Sequence, residues 1–134
     1  LIDELKFHHL GIATADLQGT VGLYSKLGFQ RSEVIHDPLQ KVQICFLSKS
    51  NHPLLELIAP ADDTSPVNTI LQKAGTSPYH SCYEVTDLEE RIAEFRNERF
   101  LLVVKPVRAI AFENRRVCFL YHPQIGLIEL LEQA

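Results

Sequence analysis

The chain has 134 residues, of which 13 are Lys or Arg and 17 Asp or Glu, for a formal charge of -4, and 46% of it is hydrophobic. That length suits one domain with a real core, and that apolar share is typical of an ordinary soluble fold. Charge of this size and sign, spread along the chain, leaves no field to hold a phosphate backbone, and no apolar run approaches the ~18 residues of a membrane span, so nucleic acid and membrane are excluded as partners. A small anionic ligand is still allowed. No basic-then-apolar leader opens the sequence, and Cys45, Cys82 and Cys118 lie in alternating or apolar runs without framework spacing. The expectation is a cytoplasmic protein with buried, reduced thiols, with an interior disulfide in an exported protein as the alternative.

Residues 5–13 alternate as a strand, with Phe7, His9, Gly11 and Ala13 on one face. Asp16 stands at an N-cap, Val21, Tyr24 and Leu27 follow at helical spacing, and Gly28 ends the helix. Residues 29–35 read as a second strand broken by Asp37 and Pro38, 42–47 as a third, and 54–58 as a fourth that Pro60 closes. A connector, 61–77, holds a short helix around Val67, Ile70 and Leu71 that ends at Gly75. Residues 79–85 are then a strand, and Asp87 caps a helix with Leu88, Ile92 and Phe95 on its apolar side. Residues 101–104 form a strand ended by Pro106, and the last two strands are 116–121 and 126–131.

The second half replays the first. Moving from His9 to His80, 71 positions, also sets Asp16 on Asp87, Leu17 on Leu88 and Phe29 on Phe100. After an insertion before Val117, Glu56 matches Glu129, Phe46 matches Phe119 and Leu57 matches Leu130. The expected fold is therefore α+β, one domain over 1–134 built from two tandem βαβββ modules, 5–60 and 78–132. A helix buries one face of each four-stranded sheet; the other face needs a second partner, and two sheets side by side make a cleft. Phe46, Phe119, Leu57 and Leu130, with Tyr24 and Phe95 on the helices, are read as packing residues that both modules need.

Four ionisable side chains, His9, Glu56, His80 and Glu129, occupy matched places in otherwise apolar strands. A single strand histidine is ordinarily a hydrogen-bonded, partly buried side chain, and a single glutamate can face solvent on an edge. Two of each at equivalent positions make that account a coincidence repeated in both modules. Coordination of one metal ion satisfies all four, and the mixed N/O set suits Co, Zn, Ni, Mn or Fe. His8, His36 and His122 are weaker candidates: His8 is read as an outward strand residue and His122 as a brace for the turn at Pro123.

The segments His9-Leu10-Gly11-Ile12-Ala13, Leu55-Glu56-Leu57-Ile58-Ala59-Pro60, Phe119-Leu120-Tyr121-His122-Pro123 and Gly126-Leu127-Ile128-Glu129-Leu130 resemble the vicinal oxygen chelate superfamily, and within it the methylmalonyl-CoA epimerase branch. The resemblance implies a half-open cup around a divalent metal held by His9, Glu56, His80 and Glu129, and a homodimer. It further implies a metal-dependent isomerase or lyase that polarises a carbonyl for α-proton transfer on an acyl-CoA, another acyl thioester or an oxo-acid, with Glu129 or Glu56 as the base. Two departures stand out. The stretch before the seventh strand, 107–116, lacks the branch's glycine, and there Ile110 or Phe112 is expected to touch substrate and Arg115 or Arg116 to meet a carboxylate or phosphate. Ser77-Pro78-Tyr79-His80 keeps one histidine where the branch carries two. A non-catalytic resistance or carrier protein, and an enzyme of the glyoxalase or thiol-transferase type, are the alternatives.

Overall fold

A computed structural model describes Ile2 and residues 5–134. Its elements run β1 (Lys6–Ala13), α1 (Leu17–Lys26), β2 (Gln30–Arg31), β3 (Ile35–Asp37), β4 (Val42–Ser48), β5 (Leu55–Pro60), α2 (Val67–Ala74), β6 (Ser77–Val85), α3 (Leu88–Asn97), β7 (Leu101–Ala109), a 3-10 turn (Ile110–Phe112), β8 (Arg115–His122) and β9 (Gly126–Glu132). The class is α+β, with two βαβββ-like passes. The chain divides into two compact units, His9–Tyr79 and His80–Ala134, the latter taking in the described residues up to His8 as well. Among the described residues no helix is long and apolar enough to cross a membrane.

In the unit His9–Tyr79 the strand order is β2-β4-β5-β1, with β3 also on β4. Ile12, Cys45, Leu47, Leu55 and Leu57 point to one side of the sheet, where Leu17 and Val21 of α1 and then Phe29 complete a core, with Tyr24 packed against it. The Asp16 side chain accepts the Gly19 N–H at 3.0 Å and so caps α1. A Cβ at Gly19 would sit 2.2 Å from the Asp16 carboxylate, so a larger residue there would displace the capping side chain. The expected strand over 29–35 is two short pieces, β2 and β3. Between them Ser32 turns its hydroxyl onto the Phe46 N–H at 2.8 Å, so the pairing is partly side-chain and the ladder is interrupted.

The unit His80–Ala134 is ordered β6-β9-β8-β7. Its core joins Leu88, Ile92 and Phe95 of α3 to Val85, Cys118, Leu120, Ile128 and Leu130 of the sheet. Asp87 caps α3, accepting the Glu90 N–H, and adopts a left-handed φ of 48° to do so. The sequence suggests that Pro106 ends a strand at Val104, but β7 continues to Ala109. The reason is position: β7 is the outermost strand of its unit, so a residue without an N–H is tolerated, and the register shifts between Leu102 and Val107 absorb the irregularity. This bulged β7 is the counterpart of the broken β2 and β3, the least regular part of the repeat. All three cysteines are buried thiols. Burial pushes the Cys118 thiol up to about 12, which leaves it protonated and inert at neutral pH.

Candidate functional site

Within the first unit the period-two alternation of β5 settles where Glu56 points. Leu55 and Leu57 go into the helix-covered core, so Glu56 between them must take the opposite face. On β1, Leu10 and Ile12 pack in the same core and His9 alternates with them. His9 Nε2 lies 3.1 Å from Glu56 Oε1, and the two side chains are 0% and 4% exposed. Phe46 is the register partner of Glu56 on β4, and its ring meets His9 edge-on at 6.3 Å.

The second unit repeats the arrangement with its own strands. Ile128 and Leu130 face α3, which turns Glu129 to the other side, while Tyr83 and Val85 do the same for His80 on β6. His80 Nε2 lies 3.2 Å from Glu129 Oε1, the side chains being 1% and 4% exposed. Phe119 is the register partner of Glu129 and stands edge-on to His80 at 5.3 Å. Phe46 and Phe119, read from the sequence as common packing, therefore border the two imidazoles. Their signal was in the repeat itself: each falls at the same offset as the glutamate it pairs with.

A buried carboxylate costs several kcal/mol unless it is paired, and a pair to one imidazole repays that desolvation poorly. Each residue offers one donor atom suited to a metal, an imidazole nitrogen or a carboxylate oxygen. Ligands about 2.1 Å from an ion are roughly 3.0 Å apart at a right angle and roughly 3.4 Å apart at the tetrahedral angle. The 3.1 and 3.2 Å separations fall between those limits, so each pair fits two adjacent coordination positions.

The remaining candidates are spread over the second unit. Ile110 is 50% exposed on the 3-10 turn, whereas Phe112 is buried, with its ring edge-on to His8 at 5.4 Å. Arg115 donates to Glu84 Oε2 at 2.8 Å and to the Phe112 carbonyl at 3.2 Å, so it ties the turn to β6. Arg116 bridges Glu89 of α3 and Glu132 of β9, at 2.6 Å to each. Glu84 shares its strand face with His80 and Cys82, a place the sequence alone does not single out. The Arg115 hydrogen bond holds its carboxyl below the usual range against a smaller opposing effect of burial. That ion pair is intact at neutral pH and is lost as pH falls through the lowered value. The His122 Nδ1 accepts the Gln124 N–H at 3.1 Å, the turn brace expected of it.

The family model described as Glyoxalase/Bleomycin resistance protein/Dioxygenase superfamily matches residues 8–119. The mitochondrial methylmalonyl-CoA epimerase of Dictyostelium discoideum is 29% identical over 132 residues, which is 96% of this chain and 78% of that protein. The crystal structure of methylmalonyl-CoA epimerase from Mycobacterium tuberculosis is similar at 29% identity and a TM-score of 0.82, covering 96% of this chain and 88% of that one. A variant of the Streptomyces coelicolor methylmalonyl-CoA epimerase in complex with 2-nitronate-propionyl-CoA is 27% identical with a TM-score of 0.81, over 98% and 96% of the two chains. With two βαβββ-like passes, a buried His–Glu pair in each and a family match across most of its length, the chain belongs to the glyoxalase/bleomycin resistance protein/dioxygenase superfamily.

Proposed function

We propose that the chain, 1–134, acts as one catalytic domain, a metal-dependent isomerase that moves the proton α to the carbonyl of an acyl thioester. The observation that carries this is the repeated buried pair: His9 with Glu56 at 3.1 Å and His80 with Glu129 at 3.2 Å, each fitted to two adjacent positions on a metal. The reading takes the two pairs as the ligands of a single divalent ion, of the Co, Zn, Ni, Mn or Fe type. The similar proteins of known name that bear on it are epimerases of a CoA thioester.

A divalent ion bound there supplies Lewis acidity, which makes the C–H beside a polarised carbonyl more acidic. The side chains divide the rest of the work. Glu129 is assigned as the base, although the sheet surrounds both glutamates alike: Phe119 is half-buried beside Glu129 as Phe46 is beside Glu56, and Val117 and Leu131 are as buried as Ile44 and Ile58. Glu56 is assigned as a fixed ligand, and comparison of the Glu129→Gln and Glu56→Gln variants separates the two roles. Phe46 and Phe119 hold the imidazole rings and keep water from the donor atoms. Ile110 is assigned to ligand contact at the turn, and Arg115 and Phe112 to holding that turn; Arg116, the second of the two adjacent arginines, would meet an anionic part of the ligand only by leaving Glu89 or Glu132. A cytoplasmic homodimer is the setting this reading assumes.

The test is α-deuterium incorporation from heavy water. Metal-loaded protein is expected to catalyse exchange into at least one 2-methyl-branched acyl-CoA above the rate with metal alone. A panel that includes methylmalonyl-CoA and shows no enzymatic exchange would contradict the isomerase.

A further inference from the structure

The charges carried by the two site-bearing sheet faces narrow the acyl group. We infer that the substrate offers two uncharged oxygens and an apolar α-substituent, in chemical class a 2-alkyl-3-oxoacyl thioester, and that an acyl group with a free carboxylate is disfavoured; this rests on the one-ion reading above.

Strand register sets the neighbours of each pair. Beside His80 and Glu129, Leu127 is the partner of both His80 and Tyr121, Phe119 is the partner of Glu129, and Val117 is the partner of Leu131. Beside Glu56, Phe46 is its partner and Ile44 is the partner of Ile58. Apart from the Tyr121 hydroxyl, these are apolar side chains. The nearby cations are already committed. Arg115 donates to Glu84 and to the Phe112 and Glu132 carbonyls, and Lys6 lies 4.0 Å from the same Glu84. Arg108 and Arg116 are register partners that share the helix-covered face, where Arg116 is bound by Glu89 and Glu132. Of the cations on these strands, Arg115, Arg116 and Lys6 are thus turned to glutamates, Arg108 lies on the helix-covered face, and Lys105 is exposed in the bulged part of β7.

Charge balance at the ligands points the same way. Glu56 and Glu129 together offset both charges of a divalent ion, and all four ligands are buried, between 0% and 3% exposed. A substrate carboxylate would leave one net negative charge in that setting with no cation to meet it, which is costly. A neutral dicarbonyl adds two oxygens and no charge. When its C–H bond breaks, the electron pair stays on the substrate and the proton forms an O–H on Glu129, so net charge is unchanged through the step.

Calorimetric binding to the metal-loaded protein separates the two classes, because the CoA portion is common to both probes. At neutral pH 2-methyl-3-oxobutanoyl-CoA is expected to bind about ten-fold or more tighter than methylmalonyl-CoA. Glu56→Gln keeps an oxygen donor and removes one negative charge, and it is expected to narrow or reverse that preference. Methylmalonyl-CoA binding the wild-type protein as tightly as the neutral probe would overturn the inference and leave the isomerase standing, as would a preference unchanged in Glu56→Gln. Binding of neither probe overturns the underlying reading as well.

Discussion

Glu129→Gln is expected to lower the α-proton exchange rate by about 10²- to 10⁴-fold, the contribution of a positioned general base. The amide keeps the size and one oxygen of the carboxylate but cannot take a proton, so the loss should appear in kcat with a smaller change in KM. Glu56→Gln is expected to cost less, since in this account Glu56 holds the site without receiving the proton. The two side chains make this a fair comparison: they are equally buried at 3% exposure, and each lies 3.1 to 3.2 Å from its histidine. Exchange by Glu129→Gln within ten-fold of wild type, measured by mass spectrometry in heavy water, would remove it from the base role.

Stripping the metal should have the second large effect, this time on stability. Two buried carboxylates without their counter-charge are a burden on the folded state, whereas an ion that binds only that state stabilises it by RT ln(1 + [L]/Kd). At free metal about 1,000 times the Kd that amounts to about 4 kcal/mol, or a rise in Tm of roughly 10–20 °C for a domain of this size. Thermal unfolding with chelator and with each candidate metal reads it directly. A Tm that no metal moves by more than a few degrees would show that the His–Glu pairs are complete in themselves.

Much of this was legible in the sequence because the chain states its design twice. His9 and His80, or Glu56 and Glu129, are unremarkable singly; their recurrence at matched positions in apolar strands picked them out, and strand alternation then placed each across from a core built on α1 or α3. The caps at Asp16 and Asp87 were equally readable, since a short acceptor side chain before a helical apolar run has one obvious use. What escaped depended on pairing partners far away in the chain. Pro106 was read as a strand end because a lone sequence does not say which strand lies outermost. The segment 29–35 was read as continuous because nothing local announces that Ser32 will bond Phe46. Arg115 and Arg116 looked like paired anion receivers, but adjacent strand residues point to opposite faces, and their glutamates arrive from β6, α3 and β9. Glu84 was missed for the same reason: its partner is 31 residues away.

Under the proposed function the two His–Glu pairs hold one ion. Metal analysis of protein purified without added metal, and again after exposure to Co, Ni, Zn, Mn and Fe followed by desalting, tests it most directly. About one ion per chain is expected in the wild type, with affinity reduced at least roughly 10- to 100-fold in His80→Ala and in Glu129→Ala. Wild-type protein that stays metal-free under all five, or variants that hold metal as well as wild type does, would contradict it.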